Sequence, residues 1–193
     1  MADLQEIKNL REKTGVSLAL CKKALEEGGN LEKAQELLRK WGQQLAGKRT
    51  GRATNQGVIA PYIHANGKLG VLVDLRCETD FVAKTDDFKE LAHEIALHIA
   101  ASNPEYISGE DVPAEMIEKE KEIYVEQMAK ENKPQDIMDQ IIQGKIDKFK
   151  KGICLLDQPF VKDDSKTIQD LVNEYIAKIG ENITISQFAR LEI

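Results

Sequence analysis

An acidic turn, Cys77–Asp80, with a phenylalanine directly after it, holds the side chains of this sequence best suited to chemistry or recognition. The apolar run that starts at Val71 leads into this turn, and Phe81 and Val82 follow it. A carboxylate and a phenyl ring at the end of a rigid strand can contact the surface of another protein. Phe81 and Val82 can equally begin the buried face of the next helix, because large apolar side chains mostly lie in cores.

Motifs for catalysis and for metal binding are missing from the sequence. No Gly-rich phosphate-binding loop, nucleophile elbow or cysteine pair with zinc-ligand spacing occurs. His93 and His98 lie five residues apart, which places them on different faces of a helix and argues against a shared metal. The sequence therefore predicts a protein that is not an enzyme and has no cofactor or metal. An enzymatic alternative would have to use Glu78, Asp80 and His64 for acid–base chemistry.

The charge balance and the cysteine content limit the class of protein. The 193 residues carry a formal net charge of −6, which argues against direct nucleic-acid binding, because phosphate contacts require a basic face. Three cysteines far apart in sequence predict reduced thiols and a cytoplasmic location. The polar start Met1-Ala2-Asp3 predicts no signal peptide, and the lack of a long apolar run predicts no membrane contact.

Helical periodicity predicts a three-helix bundle over residues 1–46. Gly15 and Gly28-Gly29 are expected to end its first two helices, and Ser17 to cap the second. Residues 47–57 have almost no apolar content, so we expect a linker there, flexible or partly helical at its start.

An alternating pattern from Val58 onward predicts an α+β core over residues 58–193. Two strands are expected on either side of the turn Ala65–Lys68, with a helix after Thr85 and a closing strand over 182–192. The simplest closure is a three-stranded antiparallel sheet backed by helices.

A helical insertion is expected within this core, at about residues 113–156. Proline is common in the first turn of a helix, so Pro113 and Pro134 mark the starts of two predicted helices. Gly144 is expected to interrupt the second of them, and Asp157–Asp164 to form an extended loop.

Two long motifs make the sequence resemble a known family. L-R-E-K-T-G (Leu10–Gly15) with C-K-K-A-L-E-E (Cys21–Glu27) resembles the N-terminal signature of bacterial translation elongation factor Ts, and C-E-T-D-F-V-A (Cys77–Ala83) resembles its second signature. H-I-A-A (His98–Ala101), Q-P-F-V-K-D (Gln158–Asp163) and I-G-E-N-I (Ile179–Ile183) are further matches. The resemblance covers the whole chain in order and is to a short form of the family.

The resemblance implies a guanine-nucleotide exchange factor for elongation factor Tu, bound in both its GDP-bound and nucleotide-free states. It implies that the N-terminal bundle is similar to ubiquitin-associated domains and docks on the partner's nucleotide-binding domain. On the matching motif, the docking residues are Arg11, Thr14, Gly15 and Leu18.

The second signature carries the exchange residues that the resemblance implies. In the family, an aspartate and a phenylalanine are inserted next to the magnesium and phosphate site of the partner. In this sequence these are Asp80 and Phe81, flanked by Thr79 and Val82.

The chain differs from the family pattern in two respects. Between Gly15 and Cys21 the family usually has a glycine, paired methionines and an acidic residue, whereas this chain has Val16-Ser17-Leu18-Ala19-Leu20; Leu18 keeps the apolar character. The chain also has room for one core subdomain where long members have two, so a homodimer is expected, with Ile183–Leu191 in its interface. The alternative is a ubiquitin-associated-like adaptor with a dimerisation domain and no exchange activity.

Overall fold

The computed structural model of the protein describes residues 3–128 and 134–193, which divide into two units. One unit contains Met1–Ala100 and Gln169–Ile193, and the other contains Ala101–Ile168. The α-helices are α1 Leu4–Thr14, α2 Leu18–Gly28, α3 Leu31–Arg49, α4 Asp80–Ala83, α5 Asp86–Ser102, α6 Ala114–Met128, α7 Gln135–Ile153 and α8 Ile168–Ile179. The β-strands are β1 Gln56–Ile63, β2 Leu69–Cys77, β3 Pro159–Phe160, β4 Asp163–Thr167 and β5 Ile183–Glu192.

Side-chain caps and a left-handed glycine set the connection between α1 and α2, as the sequence predicts. Gly15 (φ 67°) ends α1 and donates its N–H to the carbonyl of Arg11. Ser17 Oγ accepts the N–H of Leu20 and so begins α2. Glycine suits the first position because a Cβ disfavours positive φ. The three helices enclose a buried apolar cluster of Ile7, Leu10, Val16, Cys21, Ala24, Leu25, Ala34 and Leu38.

Helix α3 continues to Arg49, inside the segment expected to be a linker. The N–H and the hydroxyl of Thr50 both donate to the carbonyl of Ala46 and end the helix. Further along, the hydroxyls of Thr54 and Thr184 lie 2.8 Å apart, which ties this segment to β5. The division into domains at residues 46 and 57 stays a prediction.

Strands β1, β2 and β5 form one antiparallel sheet with β2 in the centre. Because side chains alternate along a strand, β2 has one buried and one open face. The buried face carries Val71, Val73, Leu75 and Cys77. This sheet, with the helices before and after it, confirms the predicted α+β class.

Helices α5 and α8 complete the first unit. Thr85 Oγ accepts the N–H of Phe88 near the start of α5, as predicted. The apolar stripe of α5 is fully buried at Phe88, Leu91, Ala92, Ile95 and Ile99. Asp170 joins α8 to α3, since its carboxylate accepts from Arg39 Nη2 at 2.6 Å and from Gln43 Nε2 at 3.0 Å.

In the second unit, α6 and α7 pack around buried Met128, Ile142 and Ile146. The prediction that Gly144 interrupts the second helix is wrong, because α7 runs without a break from Gln135 to Ile153. A glycine in a helix costs only about 1 kcal/mol relative to alanine. Burial of Ile142 and Ile146 on either side of Gly144 outweighs that cost.

The loop expected over Asp157–Asp164 is also corrected by the structure. It contains β3 and the start of β4, which pair as a two-stranded antiparallel sheet. Phe160 is buried in this hairpin. A two-residue strand is too short to show an alternating pattern, so the sequence gives no signal for it.

Candidate functional site

The acidic turn joins the central strand β2 to the single helical turn α4. Thr79 caps α4: its Oγ1 accepts the N–H of Val82 at 3.4 Å, and its carbonyl accepts the N–H of Ala83 at 3.3 Å. The chain therefore becomes helical immediately after the strand. The sequence carries no signal for α4, because four residues are too few to show helical periodicity.

Helix α4 turns the ring of Phe81 towards solvent. Phe81 is 79% exposed, Val82 is half-buried and Ala83 is buried. Phe81 and Ala83 lie about 200° apart around the helix axis, so burial of one directs the other outward. The alternative in which Phe81 begins a buried face is therefore wrong. An exposed phenyl ring on an ordered element offers a large, rigid apolar surface for contact with a partner.

The Asp80 carboxylate is paired with a lysine of its own turn. Lys84 Nζ lies 2.6 Å from Asp80 Oδ2. This hydrogen bond is the main cause that lowers the pKa of Asp80, since it favours the charged form. The site thus presents a charged carboxylate beside an apolar ring.

Glu181 binds the backbone of the acidic turn. Its Oε2 accepts the N–H of Glu78 at 3.1 Å and that of Thr79 at 3.0 Å, and its Oε1 accepts the Thr79 hydroxyl at 2.6 Å. The residue lies between α8 and β5, two residues after the end of α8. These bonds join the turn to a segment about one hundred residues further along the chain.

Glu78 makes the reciprocal contact and joins it to α3. Its Oε1 accepts the N–H of Asn182 at 2.7 Å, which is the main cause of its lowered pKa. Arg49 and Arg52 lie 3.5 and 3.4 Å from the same carboxylate. Asn182 Nδ2 also donates to the carbonyl of Arg52 at 2.9 Å. Two of the basic side chains of the expected linker therefore neutralise Glu78.

Cys77 supports the turn from the buried face of the sheet. Its thiol donates to the carbonyl of Thr79 at 3.1 Å. Burial, with a smaller contribution from the charge of Glu181, raises the pKa of Cys77 to about 11. A thiol that stays protonated is a poor nucleophile, so Cys77 is suited to a structural role.

The four expected docking residues lie at the end of α1 and the start of α2. Arg11 and Gly15 are exposed, and Leu18 is 47% exposed. Thr14 is half-buried, and its hydroxyl donates to the carbonyl of Leu10 at 2.7 Å. The four docking residues thus lie around the turn between α1 and α2. The expected exchange residues, 79–82, lie on a different element, α4 and its cap.

Lys178 of α8 links the docking turn to the rest of its unit. An added Cβ on Gly15 would lie 2.6 Å from Lys178 Cε, so the lysine side chain packs against the bare glycine backbone. Lys178 Nζ also lies 2.7 Å from Asp87 Oδ1. Lys178 is followed closely in sequence by Glu181, and one short segment therefore contacts both candidate sites.

The three residues of the enzymatic alternative have separate partners. Glu78 and Asp80 are held as described above, and His64 Nδ1 lies 3.1 Å from the hydroxyl of Tyr62. Over residues 3–128 and 134–193, His, Cys, Asp and Glu form no group of three that could hold a metal ion. No helix in the same ranges is both long and apolar enough to cross a membrane.

Glu181, Asn182 and Lys178 are the supporting residues that sequence reasoning missed. The first two lie inside the I-G-E-N-I motif (Ile179–Ile183), which resembles the family but has no role assigned from the sequence. Composition and periodicity cannot show that this motif contacts the acidic turn, because the contact depends on the register of β2 and β5.

Over nearly its whole length, the chain is similar to the proteins of one family. The family model described as Elongation factor TS matches residues 8–175. Elongation factor Ts of Coprothermobacter proteolyticus is 58% identical over 185 residues, which cover 95% of this chain and 94% of that protein. The corresponding protein of Thermotoga petrophila is 54% identical over 188 residues, 97% of this chain and 94% of its own. That of Thermoanaerobacter pseudethanolicus is 51% identical over 193 residues, 100% of this chain and 95% of its own.

Proposed function

Because the chain belongs to the elongation factor Ts family, which acts in translation elongation, we propose that it is a guanine-nucleotide exchange factor for elongation factor Tu. The observation that carries the proposal is the 79% exposed ring of Phe81 beside the Asp80 carboxylate. The turn that carries both side chains is held by Glu181. A ring fixed in this way can enter a partner without reorganising its own backbone.

Phe81 acts as a wedge in the proposed mechanism. A phenyl ring inserted between helices of the partner displaces packed side chains, because a close-packed interior cannot absorb the added volume by a small deformation. The displaced helices move to a second packing arrangement. The groups that hold magnesium and the GDP phosphates then lose their geometry, and GDP leaves. Asp80 and Thr79 lie at the edge of this contact.

Exchange then follows from linkage without covalent chemistry. If this protein weakens GDP binding to elongation factor Tu by some factor, GDP weakens the binding of this protein by the same factor. The complex of this protein with nucleotide-free elongation factor Tu is therefore an intermediate, from which an incoming nucleotide displaces this protein. GTP completes the cycle when it is the more abundant nucleotide.

The α1–α2 turn gives a second contact in this proposal. Arg11, Gly15 and Leu18 are exposed together there and form a surface with one charge and one apolar side chain. Docking of this turn on the nucleotide-binding domain of the partner would raise the local concentration of Phe81 at its target. Thr14 supports the turn through its bond to Leu10.

The open sheet face, which we define as Ile59, Ile63, Leu72 and Leu191, supports a homodimer. Their exposed fractions are 67%, 67%, 50% and 77%. The register places Ile63 and Leu191 on either side of Gly70, so the patch crosses all three strands. An exposed apolar patch of this kind is removed from water when two copies pair across a two-fold axis. We therefore propose that two copies pair through it.

We infer that the protein acts in the cytoplasm, with elongation factor Tu as its partner. Its formal net charge of −6 supports recognition of a protein and not of nucleic acid. Since exchange uses non-covalent contacts alone, the proposal assigns the protein no catalytic residue and no cofactor of its own.

Release of a fluorescent GDP analogue from elongation factor Tu tests the function directly. Elongation factor Tu loaded with the analogue is mixed with excess unlabelled GDP, with and without this protein. We expect the release rate to increase with protein concentration and then reach a plateau. An unchanged rate would overturn the exchange function and leave the alternative of a ubiquitin-associated-like adaptor with a dimerisation domain and no exchange activity.

A further inference from the structure

We propose that Glu181 is a positioning residue for nucleotide exchange, which holds the acidic turn so that α4 presents Phe81. The inference rests on the exchange function proposed above and adds a residue that acts through the turn. Its basis is the set of bonds from Glu181 to Glu78 and Thr79.

The Glu181 carboxylate matches the donors that the turn offers. One oxygen accepts the N–H groups of Glu78 and Thr79, and the other accepts the Thr79 hydroxyl. A carboxylate is only an acceptor, and partly buried backbone N–H groups are costly to leave without one. The bond to the hydroxyl, at 2.6 Å, has the short length of a charge-assisted hydrogen bond.

The strand register explains why Glu181 reaches this position. Cys77, the last residue of β2, is paired with Ile183, the first residue of β5. Two residues beyond this pair on each chain segment, Thr79 lies opposite Glu181. Backbone pairing has ended there, since the ladder stops at the pair of Cys77 and Ile183, and Gly180, with φ 87°, ends α8 on the other side of Glu181. The Glu181 side chain continues the pairing in place of the backbone.

A chain of hydrogen bonds leads from Glu181 to the base of the exposed ring. The Thr79 hydroxyl that donates to Glu181 also accepts the N–H of Val82. Val82 is the immediate neighbour of Phe81 on α4. Without Glu181 the hydroxyl can rotate and the turn gains conformations in which Phe81 is not presented. Molecules in those conformations still dock through the α1–α2 turn, so a smaller fraction of the bound molecules presents Phe81, and the exchange rate at saturating protein falls.

Two variants of Glu181 test the inference in the full-length protein. We expect Glu181→Ala to lower the release rate at saturating protein about tenfold, while the dissociation constant for nucleotide-free elongation factor Tu changes much less. Glu181→Gln keeps one acceptor oxygen and should lie between Glu181→Ala and the wild type. Glu118→Gln, on the exposed surface of α6, is the matched control and should equal the wild type. Equal plateau rates for Glu181→Ala and the wild type would overturn the inference.

A double variant shows whether Glu181 acts through the ring. If it does, adding Glu181→Ala to Phe81→Ala causes no further loss of rate. A second loss as large as the first would overturn the inference.

Amide hydrogen exchange in the free protein gives a readout that is independent of the partner. Glu181→Ala should speed the exchange of the amide protons of Glu78 and Thr79 with solvent. Unchanged protection of these two amides would also overturn the inference. A wild-type protein that fails to accelerate GDP release would instead overturn the proposed function.

Discussion

Lys84 Nζ lies 2.6 Å from Asp80 Oδ2, so the carboxylate beside the exposed Phe81 ring is already paired within the free protein. Both side chains are solvent-accessible on the same short turn. A partner that binds the Asp80 carboxylate must therefore either displace the Lys84 side chain or have room for it. The charge state of the Asp80 carboxylate therefore depends on one neighbouring residue, Lys84.

Replacement of Lys84 by methionine should raise the pKa of Asp80 towards its ordinary value. The hydrogen bond from Lys84 is the main cause of the lowered pKa, and methionine keeps the length of the side chain without the donor. Carboxyl-carbon NMR titration of Asp80 measures the shift. Lys89→Met, at an exposed lysine on α5, should leave the titration unchanged. An identical Asp80 titration in Lys84→Met and the wild type would contradict this assignment.

Truncation of Phe81 should separate stability from exchange. Because the ring is 79% exposed, we expect Phe81→Ala to change the free energy of unfolding by no more than about 0.5 kcal/mol. Its release rate at saturating protein should fall at least about tenfold, which corresponds to a barrier raised by about 1.4 kcal/mol, while binding to elongation factor Tu persists. Asp80→Ala should have a smaller effect.

Thermal unfolding and fluorescent-GDP release together check the Phe81 prediction. Val161→Ala, which truncates another exposed apolar side chain, serves as the control and should leave the release rate unchanged. A Phe81→Ala protein as active as the wild type would rule out the wedge, even if the protein still proved to be an exchange factor.

Local signals were sufficient to predict much of the fold. The Asn66-Gly67 turn joins β1 to β2 as expected, with Gly67 at φ 68°, because few residues other than glycine adopt that backbone. Ser17 caps α2 for an equally local reason. These features depend on neighbours within a few residues, so periodicity and turn chemistry can specify them.

The arrangement of the site depends on contacts that local signals do not contain. The bond between Thr79 and Glu181 spans about one hundred residues, and only the pairing of β2 with β5 creates it. The exposure of Phe81 likewise depends on α4, which is too short to show a period. Gly144 shows the opposite case, in which tertiary packing overrides a local helix-breaking signal.

Gly15→Ala should destabilise the protein more than Gly29→Ala. Both glycines end helices with positive φ, 67° and 73°, so each alanine costs about 1–2 kcal/mol in backbone strain. Only at Gly15 would the added Cβ also meet Lys178, and nothing lies within 4 Å at Gly29. Displacing Lys178 breaks its ion pair with Asp87, a further loss of up to about 1 kcal/mol.

Urea unfolding of these variants measures the difference. In a Lys178→Ala background the two glycine substitutions should become equal, because the clash and the ion pair are both gone. If Gly15→Ala were no worse than Gly29→Ala in the wild-type background, Lys178 would not constrain the docking turn.

A charge on the open sheet face should separate the proposed homodimer. Leu191 is 77% exposed on β5, and an aspartate there would bury an unpaired carboxylate at each copy of the interface. Light scattering should give twice the 21.7 kDa chain mass for the wild type and the single mass for Leu191→Asp. Leu4→Asp, at a leucine of α1 that is 68% exposed, should stay dimeric. A monomeric wild type at micromolar concentration would contradict the pairing.

The titration of Cys77 should appear in the alkaline stability of the protein. Its pKa is raised from 9.0 to about 11 by burial and by the charge of Glu181. The unfolded state therefore loses the thiol proton first, and the stabilisation from the protonated thiol is fully present below pH 9 and lost as pH rises through about 11. Urea unfolding of the wild type and Cys77→Ser measures this, because serine keeps a donor to Thr79 and does not titrate in that range. The difference in unfolding free energy between the two proteins should be constant up to pH 9 and then decrease. A difference that stayed constant to pH 11 would show that the thiol is not held in its protonated form.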